Sequence, residues 1–196
     1  NIEGALTTFP GLRVVSPSFA DDAAGLLRTA MRSKGPTLYL EPKALYNANY
    51  AMATVPEEYE VPFGKAKVRK EGESLSIITY GNTVHHSLDA AKDLEEQGHS
   101  VEVLDLRSLS PLDEESILET VQKTNRVLVV HEDKVFAGFG GEIVALINEK
   151  AFDFLDAPVL RVGSTFTPVG FNRILERAIL PNKQRIMEKA LELLNY

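Results

Sequence analysis

The chain of 196 residues has the composition of an ordinary soluble globular protein, with 44% apolar and 25% charged residues. It contains no cysteine, which excludes disulfides and thiolate metal sites and is compatible with a reducing, cytoplasmic location. Its net charge of −7 argues against binding to nucleic acid, and no apolar run approaches the roughly 20 residues of a membrane span.

The first 45 residues contain a single strand–helix–strand passage. Residues 12–15 form an apolar run after a Pro-Gly pair, residues 23–31 have apolar positions at helical spacing, and residues 37–40 form a second apolar run. The opening Asn1-Ile2-Glu3 resembles the middle of a helix, so we expect a part of a longer polypeptide. Two strands and one helix are too few for an independent sheet with both faces covered.

Residues 46–63 show no periodicity and are predicted to be an interdomain linker. The aromatic residues Tyr46, Tyr50 and Tyr59 indicate that this linker packs against the protein surface. The basic run 65–70 is interpreted as a solvated strand edge.

Residues 64–196 alternate regularly between strand and helix patterns. Helices between successive strands require crossover connections and hence a mainly parallel sheet, to which residues 65–68 add an antiparallel edge strand. The predicted strands are 74–80, 101–106, 127–130 and 159–162, and the predicted helices are 83–97, 112–124, 141–152 and 182–194.

Polar residues follow several of the predicted strands, where open α/β sheets bind ligands. Asp105 and Arg107 flank one residue, so their side chains point to the same side and can pair. His131 and Glu132 could be an acid–base pair or half of a metal site, but no third ligand has suitable spacing. A hydrogen-bonded structural role, or a role at an interface, is the favoured interpretation of His131.

A glycine-rich run at residues 138–141 (GFGG) precedes the helix predicted at residues 141–152. Free backbone N–H groups there could bind a phosphate. The run matches neither the dinucleotide-binding nor the P-loop pattern, which favours tight packing of the loop on the sheet.

Several stretches in this order resemble the beta subunit of thiamine-diphosphate-dependent 2-oxoacid dehydrogenases, of the pyruvate or branched-chain type. The resemblance covers nearly the whole chain, and the spacing between the stretches also matches. They include residues 9–15 (FPGLRVV), 40–46 (LEPKALY), 55–59 (VPEEY), 62–66 (PFGKA), 105–113 (DLRSLSPLD) and 138–143 (GFGGEI).

The resemblance implies a transketolase-like fold in three layers, with a mainly parallel sheet and one antiparallel edge strand. Residues 1–45 would be the tail of the pyrimidine-binding domain, residues 46–63 a linker, and residues 64–196 the C-terminal domain. The family's catalytic His and cofactor-activating Glu lie upstream of Asn1, so no catalytic, cofactor-binding or metal-binding residue is assigned here. Relatives commonly carry Asp where this chain has Ser33, so the family's structural potassium site, near residues 30–35, is not assigned. The stretch 164–168 also departs from the common pattern, which is compatible with a fused alpha–beta polypeptide.

The implied parent enzyme oxidatively decarboxylates a 2-oxoacid with thiamine diphosphate and magnesium and passes the acyl group to a lipoyl acyltransferase. The present part alone is expected to be inactive, to bind no cofactor and to serve assembly and docking. Its expected partners are an alpha subunit or alpha domain, a second beta copy and the lipoyl acyltransferase, in a dimer or heterotetramer. The residues predicted to contact partners or the other domain are Asp105, Arg107, His131, Glu132, Phe139 and Tyr196.

Two other interpretations remain open at this point. The C-terminal domains of deoxyxylulose-phosphate synthase and transketolase share several of these signals, but they lack the stretch at residues 40–46. A non-enzymatic docking module is the third possibility.

Overall fold

The computed structural model describes residues 1–196 and contains seven α-helices and eight strands arranged in two sheets. None of its helices is long and apolar enough to cross a bilayer. The first part of the chain contains four of these elements: α1 (Glu3–Leu6), β1 (Arg13–Val15), α2 (Ala20–Arg32) and β2 (Thr37–Tyr39).

The larger sheet has five strands in the order β3-β5-β4-β7-β8, and only β3 runs antiparallel to its neighbour. Its three central strands are buried along nearly their whole length, as expected for a sheet that is covered on both faces. The strands are β3 (Lys67–Lys70), β4 (Leu75–Thr79), β5 (Val101–Asp105), β7 (Val127–Lys134) and β8 (Leu160–Ser164).

Four helices cover the two faces of this sheet. Alternate strand residues point to opposite faces, so Ile78 packs towards α4 and α5 while Ile77 packs towards α3 and α7. The predicted three-layer α/β class with one antiparallel edge strand is thereby confirmed. The helices are α3 (Thr83–Glu96), α4 (Glu114–Thr124), α5 (Gly140–Ala151) and α7 (Lys183–Leu194).

The smaller sheet has three strands in the order β2-β1-β6, where β6 is the segment Ser108–Ser110. The sequence patterns do not predict β6, which follows directly after the larger sheet's strand β5. It pairs antiparallel with β1, and the Ser110 hydroxyl donates to the Leu12 carbonyl at 3.0 Å. The strand that residues 1–45 lack is therefore supplied from beyond the linker.

The end of the linker, residues 59–61, lies on α2. The Thr29 hydroxyl donates to the Val61 carbonyl at 2.8 Å, and Arg28 Nη1 donates to the Tyr59 carbonyl at 2.9 Å. A Cβ atom at Gly25 would lie 2.8 Å from Val61 Cγ2, so the absence of a side chain lets the linker approach the helix. Close packing thus holds for Tyr59, whereas Tyr46 and Tyr50 are 62% and 59% exposed.

Two further elements differ from the predicted ones. Strand β7 continues to Lys134, four residues beyond the predicted end, and a short helix α6 (Arg173–Ile179) precedes α7. Helix α6 has only seven residues, none of them buried, and its apolar residues Ile174, Leu175 and Ile179 do not extend over the window in which helical periodicity is recognised.

Candidate functional site

Four charged side chains meet where α2 contacts the larger sheet, and we call them the ion cluster: Asp22, Arg69, Asp105 and Arg107. Asp22 lies in the first turn of α2 and is fully buried. It forms ion pairs with Arg69 and with Arg107 Nη1, the latter at 2.9 Å, and Arg69 Nη2 also lies 2.8 Å from Asp105 Oδ2. The ion cluster therefore joins residues 1–45 to residues 64–196.

The arrangement corrects two expectations from the sequence. Asp105 and Arg107 do not pair through their side chains: Asp105 accepts from Arg69, and Arg107 reaches Asp22 and the carbonyls of Lys65 and Ala66. The basic run 65–70 is not wholly solvated either, because the Arg69 side chain is only 8% exposed.

The guanidinium groups of the ion cluster oppose the effect of burial on the pKa values of its two acids. Burial opposes ionisation of Asp22, but the guanidinium groups of Arg69 and Arg107 lower the pKa of its carboxyl below the ordinary value. Burial raises the pKa of Asp105, and Arg69 opposes this with two hydrogen bonds to the same oxygen. Two carboxylates then neutralise two guanidinium groups, which is the condition under which buried charges are tolerated.

His131 is fully buried in β7, and neither of its ring nitrogens has a hydrogen-bond partner. The predicted hydrogen-bonded role is therefore wrong for this residue. Burial lowers its pKa to about 4, so the ring is neutral at pH 7. We find no group of three His, Cys, Asp or Glu residues placed to hold a metal ion.

The glycine-rich loop packs against the His131 ring. A Cβ atom at Gly140 would lie 2.3 Å from His131 Nε2, and one at Gly138 would lie 2.0 Å from the Lys134 carbonyl oxygen. Phe139 is buried, with its ring centroid 6.1 Å from that of Tyr80. Contact with the sheet thus explains the glycines, and the loop does not present an open cradle for a phosphate.

A cleft of about 300 Å³ lies at the carboxyl ends of β4 and β7, next to α1. Its lining includes Glu3, Tyr80 and Glu132 and contains no Lys, Arg or His. Glu132 accepts hydrogen bonds from the side-chain amides of Asn1 at 3.0 Å and Asn82 at 3.3 Å. We call this the acidic cleft.

Two buried polar groups of the acidic cleft lack partners. Glu3 is 8% exposed and Tyr80 is 3% exposed, and neither Glu3 Oε2 nor the Tyr80 hydroxyl forms a hydrogen bond. Burial is the main cause that raises the pKa of Glu3 to about 7, and the nearby carboxylates of Asp133 and Glu132 add to it. Burial likewise raises the pKa of Tyr80.

The remaining sequence predictions concern the chain end and the turn after α2. Tyr196 is 75% exposed and contacts no other part of the site. In the turn, the Arg13 guanidinium donates to the carbonyls of Lys34 at 2.7 Å and Gly35 at 3.5 Å, so a protein cation already binds these oxygens. Sequence reasoning did not select Glu3, Asp22 or Arg69, because an acid in a helix and an Arg in an edge strand give no signal of burial.

Comparison with known proteins places this geometry in a family. Residues 64–186 match the family described as "Transketolase, C-terminal domain". The chain is 45% identical over 196 residues to the pyruvate dehydrogenase E1 component subunit beta of Staphylococcus aureus (strain Mu50 / ATCC 700699), and 44% identical to that of Bacillus subtilis (strain 168). It is 40% identical over 195 residues to the acetoin:2,6-dichlorophenolindophenol oxidoreductase subunit beta of Bacillus subtilis (strain 168).

The matches cover all or nearly all of this chain but only part of each relative. The chain spans 60% of the two pyruvate dehydrogenase subunits and 56% of the acetoin enzyme subunit. A solved structure titled "Split gene transketolase, inactive beta4 tetramer" superposes with a TM-score of 0.81 at 23% identity, over 98% of this chain and 61% of that one. Fold and sequence agree, and the chain belongs to the family of the transketolase C-terminal domain.

Proposed function

We propose that this chain is part of the beta component of a thiamine-diphosphate-dependent 2-oxoacid dehydrogenase. The parent enzyme would decarboxylate pyruvate or a branched-chain 2-oxoacid oxidatively and pass the acyl group to a lipoyl acyltransferase in the cytoplasm. The observation that carries the proposal is the 45% identity to a pyruvate dehydrogenase beta subunit, which extends over all 196 residues and includes the part before the matched domain.

The residues of this chain do not fit thiamine diphosphate and magnesium. A diphosphate needs free backbone N–H groups or basic side chains. The glycine-rich loop packs against the His131 ring, and no basic residue lines the acidic cleft. We therefore assign no cofactor contact and no catalytic step to these residues. The proposed role of this part is to form one side of the active site and to bind partners. The catalytic groups would belong to other parts of the enzyme.

The ion cluster supports the proposed role in assembly. It lies between two parts of the chain, buries all four charged groups and includes Asp105 and Arg107, two of the residues predicted at a domain contact. His131 lies inside the larger domain, Phe139 is buried with its backbone nitrogen beside Gly4 of α1, and Glu132 lines the acidic cleft. Their assignment to a partner or domain interface remains part of the proposal.

Two surfaces are proposed to bind partners. Phe136 and Phe166 are 67% and 69% exposed, with ring centroids 4.8 Å apart, and we propose that this aromatic patch contacts a second beta copy or the alpha component. The exposed Tyr196 at the end of α7 is proposed to contact the lipoyl acyltransferase. The net charge of −7 favours a basic partner segment there.

The test uses the natural full-length polypeptide together with its alpha component. Turnover is measured with pyruvate, a branched-chain 2-oxoacid and acetoin as substrates and 2,6-dichlorophenolindophenol as electron acceptor. We expect turnover of a 2-oxoacid that requires thiamine diphosphate and magnesium. Turnover of acetoin alone would contradict the proposal.

The proposed inactivity of this part is tested separately. Residues 1–196 are titrated calorimetrically with thiamine diphosphate and magnesium, next to the full-length protein. We expect heat of binding from the full-length protein only. Micromolar binding to residues 1–196 would show that the cofactor site had been overlooked.

A further inference from the structure

Four planar side chains from four segments of the chain are in contact beside the ion cluster, and we call them the ring cluster: Phe19, Tyr50, Arg69 and His85. The centroid of the His85 ring lies 4.7 Å from that of Phe19 and 4.8 Å from that of Tyr50, which is the range of aromatic contacts. The guanidinium carbon of Arg69 lies 4.2 Å from the centroid of the Phe19 ring. The ring cluster therefore connects the linker to α3, to the residue before α2 and to β3.

One hydrogen bond fixes the tautomer of His85. The residue is 7% exposed, and its Nε2 atom lies 2.7 Å from the Ser18 carbonyl oxygen. A carbonyl oxygen only accepts hydrogen bonds, so Nε2 carries the proton of the neutral ring. A second proton can therefore be added only at Nδ1, for which the chain provides no hydrogen-bond acceptor.

The surroundings of His85 favour the neutral ring. Burial is the main cause that lowers the pKa of His85 below its ordinary value of 6.5. The Ser18 carbonyl and the Asp89 carboxylate favour the charged ring, whereas His86 and the Arg69 guanidinium disfavour it. At neutral pH the ring is therefore uncharged, and a charged ring is less stable in this buried position than in water.

The linker is the part of the ring cluster that can move. Protonation of His85 puts a second positive charge against the Phe19 ring, which the Arg69 guanidinium already contacts. Arg69 is held in place by its two ion pairs in the ion cluster. Tyr50 lies in a short 3-10 helix of three residues and is 59% exposed, so it has fewer contacts to lose.

We propose that the contact between His85 and Tyr50 is a pH-sensitive attachment of the linker, which holds residues 49–51 while His85 is neutral and releases them when His85 is protonated. The ion cluster stays intact, so the two parts of the chain remain in contact while the segment that joins them becomes mobile. Because the pKa of His85 is lowered in the folded protein, the attachment is complete above pH 6.5 and is lost as the pH falls through the folded-state pKa. The attachment is additional to the proposed function and does not depend on it.

The experiment follows the mobility of the linker in the natural full-length protein by electron paramagnetic resonance. A nitroxide is attached at Met52→Cys, because Met52 is 72% exposed and lies two residues after Tyr50, and any other cysteine is replaced by serine. We expect the mobile component of the spectrum to be larger at about pH 5 than at about pH 7.5, and to shrink again when the pH is restored. The same label at Glu149→Cys, an exposed position on α5, should give one spectrum at both pH values. A linker spectrum that does not change between the two pH values overturns the proposal.

Two substitutions of His85 separate its charge from its ring contacts. His85→Phe keeps an aromatic ring that cannot be protonated, so the linker should stay immobilised at both pH values. His85→Gln removes the ring, so the linker should be mobile at both. His99→Gln replaces a histidine outside the ring cluster and should keep the wild-type response.

The variants also exclude the other groups that titrate in this range. Glu3 and His131 are present in both His85 variants, so a pH response that persists in His85→Phe would belong to them and would overturn the proposal. Tyr50→Ala changes an exposed residue and is the second test, should the His85 variants fold poorly. It should give the mobile spectrum at both pH values, and an unchanged wild-type response in Tyr50→Ala likewise overturns the proposal.

Discussion

Asp22 is the residue on which contact between the two parts of the chain depends most. It accepts from Arg69, from Arg107 and from the Tyr59 hydroxyl, the last at 3.1 Å. Asn has nearly the same size as Asp but carries no charge. The two buried guanidinium groups would then be left with Asp105 as the one carboxylate of the ion cluster. We expect Asp22→Asn to lower the free energy of unfolding by about 3–5 kcal/mol, measured by denaturant titration.

The control for this variant is a carboxylate in a surface ion pair. Asp93 pairs with Lys183 at 2.6 Å, and both side chains are well exposed to solvent. Exposed pairs contribute little to stability because water screens them. Asp93→Asn should therefore unfold close to the wild-type midpoint, and an equal effect of the two substitutions would mean that burial of the ion cluster is unimportant.

Two buried titratable groups near the acidic cleft have opposite effects on stability as the pH changes. The folded-state pKa of His131 is lowered to about 4, so its stabilising contribution is present above its ordinary pKa of 6.5 and is lost as the pH falls towards 4. The pKa of Glu3 is raised from 4.5 to about 7, so its contribution is present below 4.5 and is lost as the pH rises through 7. Between pH 7 and pH 5 each changes the free energy of unfolding by about 2 kcal/mol, with opposite sign.

Single variants should separate the contributions of His131 and Glu3, which have opposite sign in the wild type. On acidification from pH 7 to pH 5, His131→Gln should gain about 2 kcal/mol of stability relative to the wild type, because only Glu3 still titrates. Glu3→Gln should lose about 2 kcal/mol over the same interval, and the double variant should follow the wild type. Denaturant titrations at the two pH values measure these differences. Changes of the same sign in the two single variants would refute the assigned pKa directions.

The sequence indicated several polar residues of the site but not which of them form pairs. Asp105, Arg107, His131 and Glu132 were recognisable because polar residues at strand ends stand out against apolar runs. The partner of Arg107 was not recognisable, because Asp22 is 85 positions away and occupies a place where acids commonly stabilise a helix start.

At the scale of elements, the strands and helices with apolar periodicity were predicted within a few residues. Strand β6 was missed because three residues carry no periodic pattern and its partner β1 lies far upstream in the chain. Helix α6 was missed because its seven residues are too few for a periodic pattern to be recognised, although Ile174, Leu175 and Ile179 stand at helical spacing. Such elements are set by tertiary contacts or by caps, as at Asn172, whose side chain accepts from the Ile174 N–H at 2.8 Å.

The linker offers a test of how firmly the elements are held together. Residues 52–58 are exposed, and Glu57 and Glu58 are accessible to a glutamate-specific protease. We expect cleavage there to give two pieces that elute together in size-exclusion chromatography at neutral pH, because the β1–β6 pairing and the ion cluster remain. Asp22→Asn should make the nicked pieces separate more readily. Separation of the nicked wild-type protein would show that the covalent linker holds them.

At the scale of the whole molecule, the exposed aromatic patch predicts assembly. Replacement of Phe166 by Asp places a charge beside Phe136 and should not disturb the fold, because Phe166 is 69% exposed. We expect Phe166→Asp to reduce the mass of the assembled full-length protein in native mass spectrometry while its circular dichroism stays unchanged. The control is Phe152→Asp, an equally exposed aromatic residue at the end of α5. Equal loss of assembly in both variants would argue against a specific role for the patch.

The three-stranded sheet has a consequence for how this region can be exchanged between relatives. The matched family begins at residue 64, yet β6 and two members of the ion cluster, Arg69 and Arg107, lie beyond that point and bind partners that precede it. In a chimera joined at residue 64, Asp22 and β1 would come from one parent, and their partners Arg69, Arg107 and β6 would come from the other. Recombination should therefore succeed when the crossover lies upstream of β1, so that both halves of the sheet are inherited from a single parent.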